Sequence, residues 1–330
     1  METIVQADRA PRLVADIGGS NARFGWLPAG SNSPGHVRQY AVSAHAGLVV
    51  AAQAYLAEIQ ATLGAQYRPP VAAALAVATA VTGDAVVFTN SPWSFSQNRA
   101  CEALGLDTLF VLNDFEALAL ALPRLDATQA RAHGIMPAGN GPMAVVGPGT
   151  GLGVASVIPT PQGWVAVAGE GGHASVSAAD DFESELLALV RRRCGHVSAE
   201  RLLSGIGLPV LYDAVCGVMG EPAEAALQTE HIVAQGLAAQ AACERTLNTF
   251  CALLGSFCGN VALISGARGG LYIGGGIVLR LGELFFRSAF RERFEAKGRL
   301  QSYLQGIPTA LITDTLVALT GAAAALGPAQ

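Results

Sequence analysis

A chain of 330 residues is long enough for two domains, each burying its own core. With 51% apolar residues, 14% charged and a formal net charge of −5, it shows no basic surface for nucleic acid, and small soluble molecules are the expected partners. The apolar runs of Ala, Val and Leu are broken by Gly, Pro, Asp or Arg, so no membrane span is expected. The opening Met-Glu-Thr-Ile-Val-Gln-Ala-Asp carries no basic-then-apolar leader, which gives a cytoplasmic location as the expectation. Cys101, Cys194, Cys216, Cys243, Cys251 and Cys258 lack Cys-x-x-Cys spacing and read as reduced thiols, neither zinc ligands nor disulfides.

Residues 12 to 17 read as a strand that delivers Asp16 into Gly18-Gly19-Ser20-Asn21, and 23 to 27 read as a second strand. Glycines let backbone N–H groups approach phosphate oxygens, Ser20 and Asn21 add donors, and Asp16 stands where a carboxylate could hold hydrated magnesium. The dinucleotide fingerprint and the P-loop both open a helix, whereas Arg23-Phe-Gly-Trp-Leu27 has no helical pattern. The loop is therefore a phosphate-cradling hairpin tip or, more plainly, a glycine turn joining two buried strands. A helix over 46 to 63, the Pro69-Pro70 break, and strands over 71 to 78, 85 to 88 and 108 to 112 follow. The last strand ends in Asn113-Asp114, which places both side chains at the carboxyl edge of a sheet, where open α/β folds bind ligands. Asp114 can take a proton from a substrate hydroxyl there, and either residue can instead simply cap the helix over 115 to 122. That helix runs into Pro123, a candidate hinge.

Met143 to Ile158 repeats the opening pattern of strand, glycine turn with a hydroxyl, and strand, now through Gly147-Pro148-Gly149-Thr150-Gly151. Two such hairpins suggest a duplicated α/β unit clamping a nucleotide. Gly169-Glu170-Gly-Gly-His173 offers a carboxylate and an imidazole on a glycine-rich turn. The two glycines argue against a helical zinc pair, and a pair reading adjacent hydroxyls of a polyol fits better. Glu200 is expected in the first turn of a helix capped by Ser198, where the helix dipole alone accounts for an acid. A helical stretch over 231 to 258 leads to Gly274-Gly275-Gly276, either a side-chain-free surface for an adenine ring or a strand-to-helix connection. A strand over 309 to 313 and an Ala-rich helix over 315 to 326 complete the chain.

In order, Asp16-Ile-Gly-Gly-Ser-Asn-Ala-Arg23, Thr89-Asn-Ser-Pro-Trp93, Asn113-Asp-Phe115, Gly147-Pro-Gly-Thr-Gly-Leu-Gly153, Gly169-Glu-Gly-Gly-His173, Gly195-His-Val-Ser-Ala-Glu-Arg201 and Gly274-Gly-Gly-Ile-Val278 resemble the bacterial glucokinases over nearly the whole chain. The resemblance implies a duplicated α/β fold of the actin-like ATPase (ribonuclease H-like) type, with a small domain of residues 1–123 plus 315–330, a large one of 124–314, and a deep cleft. It implies ATP-dependent phosphorylation of D-glucose at the 6-hydroxyl, the first step of glycolysis, by a homodimer. Asn113, Asp114, Glu170, His173 and Glu200 would bind glucose, Asp114 being the general base. Asp16, Gly18, Gly19, Ser20, Asn21, Gly149, Thr150 and Gly275 would hold ATP, with Asp16 on Mg2+. Ser20 stands where threonine is usual, and Pro148 replaces a small residue in the second loop, removing an N–H. The cysteine-rich zinc motif of the related repressor and sugar-kinase group is missing.

Closure about 113–124 and 309–315 on sugar binding would exclude water. Two other classes share the clamp: a nucleotide-driven switch or filament protein, which would turn over ATP without sugar, and a sugar-sensing regulator. The dozen residues before the first strand leave no room for an N-terminal helix-turn-helix, which argues against the regulator.

Overall fold

The computed structural model describes residues 10–88 and 91–327. Thr89 and Asn90, which open one of the sequence motifs, lie outside the described residues. The chain forms two compact units, Met1–Arg124 with Thr315–Gln330, and Leu125–Asp314.

The first unit contains β1 (Arg12–Ile17), β2 (Asn21–Leu27), β3 (Gly35–Ala41), β4 (Ala72–Val77), β5 (Ala85–Val87), β6 (Ser94–Ser96) and β7 (Thr108–Asn113). Five of these form a sheet in the order β3-β2-β1-β4-β7, and β5 pairs with β6. Strands β1, β4 and β7 are parallel, while β1-β2 and β2-β3 are antiparallel. Side chains alternate across a strand, and here both faces are covered. Leu13, Ala15 and Ile17 pack with Leu48, Ala51, Ala52, Tyr55 and Ile59 of the helix Leu48–Leu63. On the other face Val14, Ala74, Ala76 and Leu112 pack with Ala117 of the helix Asp114–Ala121 and with Leu319, Ala322 and Ala323 of the C-terminal helix Val317–Ala325. The parallel register sets Ile17, Val77 and Asn113 level with one another, so Asp16 and Asp114 emerge at one sheet edge.

The second unit contains β8 (Ala130–Ala132), β9 (Met143–Pro148), β10 (Leu152–Thr160), β11 (Gly163–Gly169), β12 (Gly270–Ile273) and β13 (Thr309–Ile312). Its sheet runs β11-β10-β9-β12-β13-β8, with β10-β11, β9-β10 and β13-β8 antiparallel and β9-β12 and β12-β13 parallel. The first five strands thus repeat the order and directions of the first sheet, and β8 is an addition. The duplication expected from the two hairpins is present, and each hairpin is the first antiparallel pair of the repeated five strands.

Three expectations need correction. The stretch over 231 to 258 is two helices, Thr229–Leu237 and Ala241–Ser265. They are separated at Ala239, which takes a left-handed conformation (φ 62°), and Gln240 caps the second by accepting from the Cys243 N–H. The region 198–205 is not a helix but a series of turns; Glu200 N–H is engaged by the Gly172 carbonyl, and the next helix begins at Leu208. Two segments, Leu48–Gln66 and Ala241–Ser265, are long and apolar enough to cross a membrane, contrary to the reading that none is. In the fold, Ala241–Ser265 is the central helix of the second core, with Leu247, Phe250, Leu254 and Phe257 buried, and Leu48–Gln66 covers the first sheet.

Candidate active site

In the first unit the hairpin tip is closed by the Gly18 N–H donating to the Asn21 carbonyl (2.9 Å), leaving Ser20 and Asn21 exposed. Cross-strand pairing places Arg23 opposite Asp16 and Gln39 opposite Arg23. Their side chains form a chain: Arg23 donates to Asp16 Oδ2 (3.1 Å) and to Gln39 Oε1 (3.0 Å), and Gln39 Nε2 donates to Asn21 Oδ1 (3.0 Å). Burial raises the Asp16 carboxyl above the usual range, and the Arg23 charge only partly offsets this. Arg23 lies within a motif already singled out, yet its partnership with Asp16 and that of Gln39 with Asn21 were not anticipated. Hairpin register would have found the first, since a short turn makes Asp16 and Arg23 neighbours.

Asn113 ends β7 and caps the helix Asp114–Ala121: its Oδ1 accepts from the Phe115 N–H (2.9 Å), and its Nδ2 donates to the Thr79 carbonyl (3.3 Å). The capping reading of Asn113 is therefore realised. Asp114 Oδ1 accepts from the same N–H (2.9 Å), which points its carboxylate back toward the sheet edge. Its pKa is raised from 3.8 to about 6, chiefly by burial and secondly by the negative charge of Asp16. Two partly buried carboxylates, the charge of Asp16 raising the pKa of Asp114, are a pair that a divalent cation or a proton would relieve; the residues fit magnesium.

In the second unit the loop 149–151 joins β9 to β10, with the Gly149 N–H donating to the Gly151 carbonyl (2.9 Å) and Thr150 exposed. Pro148 is the last residue of β9, paired with Leu152, so it lies in the strand and not in the turn. Gly275, at φ 82°, packs against it, and a Cβ there would overlap the Pro148 carbonyl. The bare face of Gly275 is thus used on the protein itself. Gly276 opens the helix Gly276–Leu281 and presents open space, so the expected strand-to-helix connection is there.

Glu170 precedes a tight turn over Gly171–His173. That turn sits so close to β10 that a Cβ on Gly172 would overlap the Leu152 carbonyl, which is why glycine is required. Glu200 comes to the same place by a different route. Its N–H donates to the Gly172 carbonyl (2.9 Å), its Oε2 accepts from the Leu152 N–H (2.9 Å), and its Oε1 stands 4.0 Å from His173 Nε2. Glu200 is 25% exposed and His173 62%, so both retain a face toward solvent. Glu200 thus meets His173, the Glu170–His173 turn at Gly172, and the end of the second hairpin loop at Leu152; among the described residues no group of three His, Cys, Asp or Glu could hold a metal ion.

Residues 13–329 match the family model described as Glucokinase. A glucokinase of Chromobacterium violaceum is 48% identical over 321 residues, covering 96% of this chain and 89% of its own length. One from Aromatoleum aromaticum is 46% identical over 325 residues, covering 97% of this chain and 96% of its own. The crystal structure of glucokinase from an Antarctic psychrotroph aligns with a TM-score of 0.88 at 37% identity, covering 96% of this chain and 98% of that one.

Proposed function

The chain belongs to the glucokinase family, its paired sheets being the actin-like ATPase fold, and from that premise we propose that Asp114 is the general base in the ATP-dependent phosphorylation of glucose. The observation that carries the reading is the Asp114 carboxylate itself, held at a helix N-terminus with a pKa raised to about 6. A base near neutrality is ionised at working pH yet still basic enough to take a hydroxyl proton. As the glucose 6-oxygen bonds to the γ-phosphorus, its proton passes to Asp114 and the bond from the γ-phosphorus to the β,γ-bridging oxygen breaks, releasing ADP. Asn113 holds a neighbouring sugar hydroxyl with its side-chain amide. Glu170, His173 and Glu200 take further hydroxyls, the carboxylates accepting and the imidazole doing either.

Gly18, Gly19, Ser20 and Asn21 in the first unit, and Gly149, Thr150 and Gly275 in the second, serve the nucleotide. The Gly18 and Gly149 N–H groups close their own turns, and the Ser20 and Thr150 hydroxyls, the Asn21 amide and the other loop N–H groups meet the phosphate oxygens where charge develops. Asp16 would hold Mg2+, which when bound neutralises charge on the phosphates. Arg23 keeps the Asp16 carboxylate oriented. All six cysteines are free thiols, consistent with work in the reducing cytoplasm, where ATP is also the abundant donor. A homodimer is the expected assembly.

The test is ADP release from ATP and magnesium with and without glucose, alongside mannose, galactose, fructose and N-acetylglucosamine. Glucose-dependent release with formation of glucose 6-phosphate is the expected result. Release indifferent to every sugar would overturn the reading in favour of an ATP-driven switch.

A further inference from the structure

The segment 199–206 touches both functional loops of the second unit. Toward the Glu170–His173 turn it donates from the Ala199 N–H to the Ala174 carbonyl (2.8 Å) and from the Glu200 N–H to the Gly172 carbonyl (2.9 Å). Toward the loop 149–152 it makes three bonds. The Leu152 N–H donates to Glu200 Oε2 (2.9 Å), the Gly205 N–H to the Gly149 carbonyl (2.7 Å) and the Ile206 N–H to the Thr150 carbonyl (3.4 Å). The fit is close, since a Cβ on Gly205 would come to 3.1 Å from the Gly149 carbonyl oxygen.

Two buried hydroxyls hold this segment in shape. Ser204, fully buried, donates to the Glu200 carbonyl (2.7 Å) and accepts from the Gly207 N–H (3.0 Å). Thr229, 8% exposed at the start of the helix Thr229–Leu237, donates to the Gly205 carbonyl (2.5 Å). An unbroken path therefore runs from a helix of the core, through Thr229 and Gly205, to the backbone of Gly149. Neither Ser204 nor Thr229 is among the residues expected to meet sugar or nucleotide.

We propose that 199–206 is a strut that fixes the second phosphate loop, and that Thr229 is a positioning residue for the nucleotide, acting through Gly205 on Gly149. The proposal rests on assigning loop 149–151 to ATP. The bond from Thr229 supports the Gly205 end of the strut, the end attached to the phosphate loop. Glu200 and the Glu170–His173 turn have anchors of their own, Ser204 and the two bonds from Ala199 and Glu200, and the tie of Glu200 to the phosphate loop is at Leu152, the end away from Gly149. Loss of the Thr229 hydroxyl should therefore be felt by the nucleotide and not by the sugar. A donated hydrogen bond of this kind, once lost, changes an affinity by about five-fold.

The experiment is steady-state kinetics of wild type, Thr229→Val and Thr229→Ser, with the thermal midpoint of each measured in parallel. Valine matches threonine in shape but cannot donate, and serine restores the donor. Thr229→Val should raise the KM for ATP about five-fold with the KM for glucose within two-fold of wild type, and Thr229→Ser should return the ATP KM to near the wild-type value. An unchanged ATP KM in Thr229→Val overturns the proposal, as does a parallel rise in both KM values that serine fails to reverse. Should Thr229→Val not fold, Ser204→Ala tests the other end: it should raise the glucose KM more than the ATP KM, and the reverse order contradicts the strut. Wild type that consumes ATP without regard to glucose would defeat the functional reading itself, a result distinct from any of these.

Discussion

Asp114 is held in a state that works against stability. Its folded pKa of about 6 exceeds the ordinary 3.8, so between those values the native protein keeps a proton that the unfolded chain has released. Stability therefore falls as pH rises through that window, and above pH 6 the penalty is fully present. Asp114→Asn should then be more stable than wild type at pH 7.5, by about 1–2 kcal/mol in urea titrations, with the difference gone below about pH 4. The same variant should lose turnover by about 10²-fold or more. Wild-type kcat/KM for glucose should show an acid limb of apparent pKa about 6, and a flat profile down to pH 5 would contradict the role given to this carboxylate. The residue types and their order were legible in the sequence because each sits in a short motif, punctuated by glycine everywhere except at Asn113-Asp114. The partnerships were not: Arg23 with Asp16, Gln39 with Asn21 and Glu200 with Leu152 depend on strand register and on a turn that returns from 48 residues away.

Elements with strong local signals, the two hairpins and the helix after Asp114, stand close to where the sequence puts them. Those without such signals do not. The edge strand β3, Gly-His-Val-Arg-Gln-Tyr-Ala, is largely solvent-facing and shows no clean alternation of apolar and polar residues, so the sequence does not announce it. Alanine at the left-handed position between Thr229–Leu237 and Ala241–Ser265 hides a helix break that glycine would have announced. Long-range ion pairs are equally invisible in sequence, and one of them holds three helices together. Arg293 donates to both oxygens of Glu183 (2.7 Å each) and to Ser256 Oγ (3.2 Å). Glu183 is 2% exposed and also accepts from the Ala179 N–H, while Asp180 caps its helix by accepting from the Glu183 N–H. Arg293→Met leaves that carboxylate buried without its cation and should cost about 3–5 kcal/mol by chemical denaturation. Combining it with Glu183→Gln should recover a good part of the loss. A single variant of wild-type stability would show the pair to be dispensable.

At the scale of the whole molecule the chain repeats one sheet topology and then uses its last segment to finish the first copy. The C-terminal helix Val317–Ala325 packs on β1 and β4 and crosses the helix Asp114–Ala121 at Gly321, where a Cβ would overlap the Ala117 carbonyl. That return was legible from the family resemblance and from the Ala-rich pattern, but the need for glycine at 321 was not, because it arises only where two helices meet. Gly321→Ala must push the two helices apart, which should cost about 1–3 kcal/mol and displace the element that begins with Asp114. The tryptophans allow the damage to be assigned. Trp26 and Trp93 are buried in the first unit, whereas Trp164 is half-buried on β11 of the second. The red shift of tryptophan emission in urea therefore reports mainly on the first unit, while far-UV circular dichroism is weighted toward the second, which contains Ala241–Ser265. Because each unit has its own core, Gly321→Ala should lower the fluorescence midpoint and leave the main dichroism transition near its wild-type position. Equal shifts in both probes would mean that the two cores unfold as one, and the assignment of the cost to the first unit would fail.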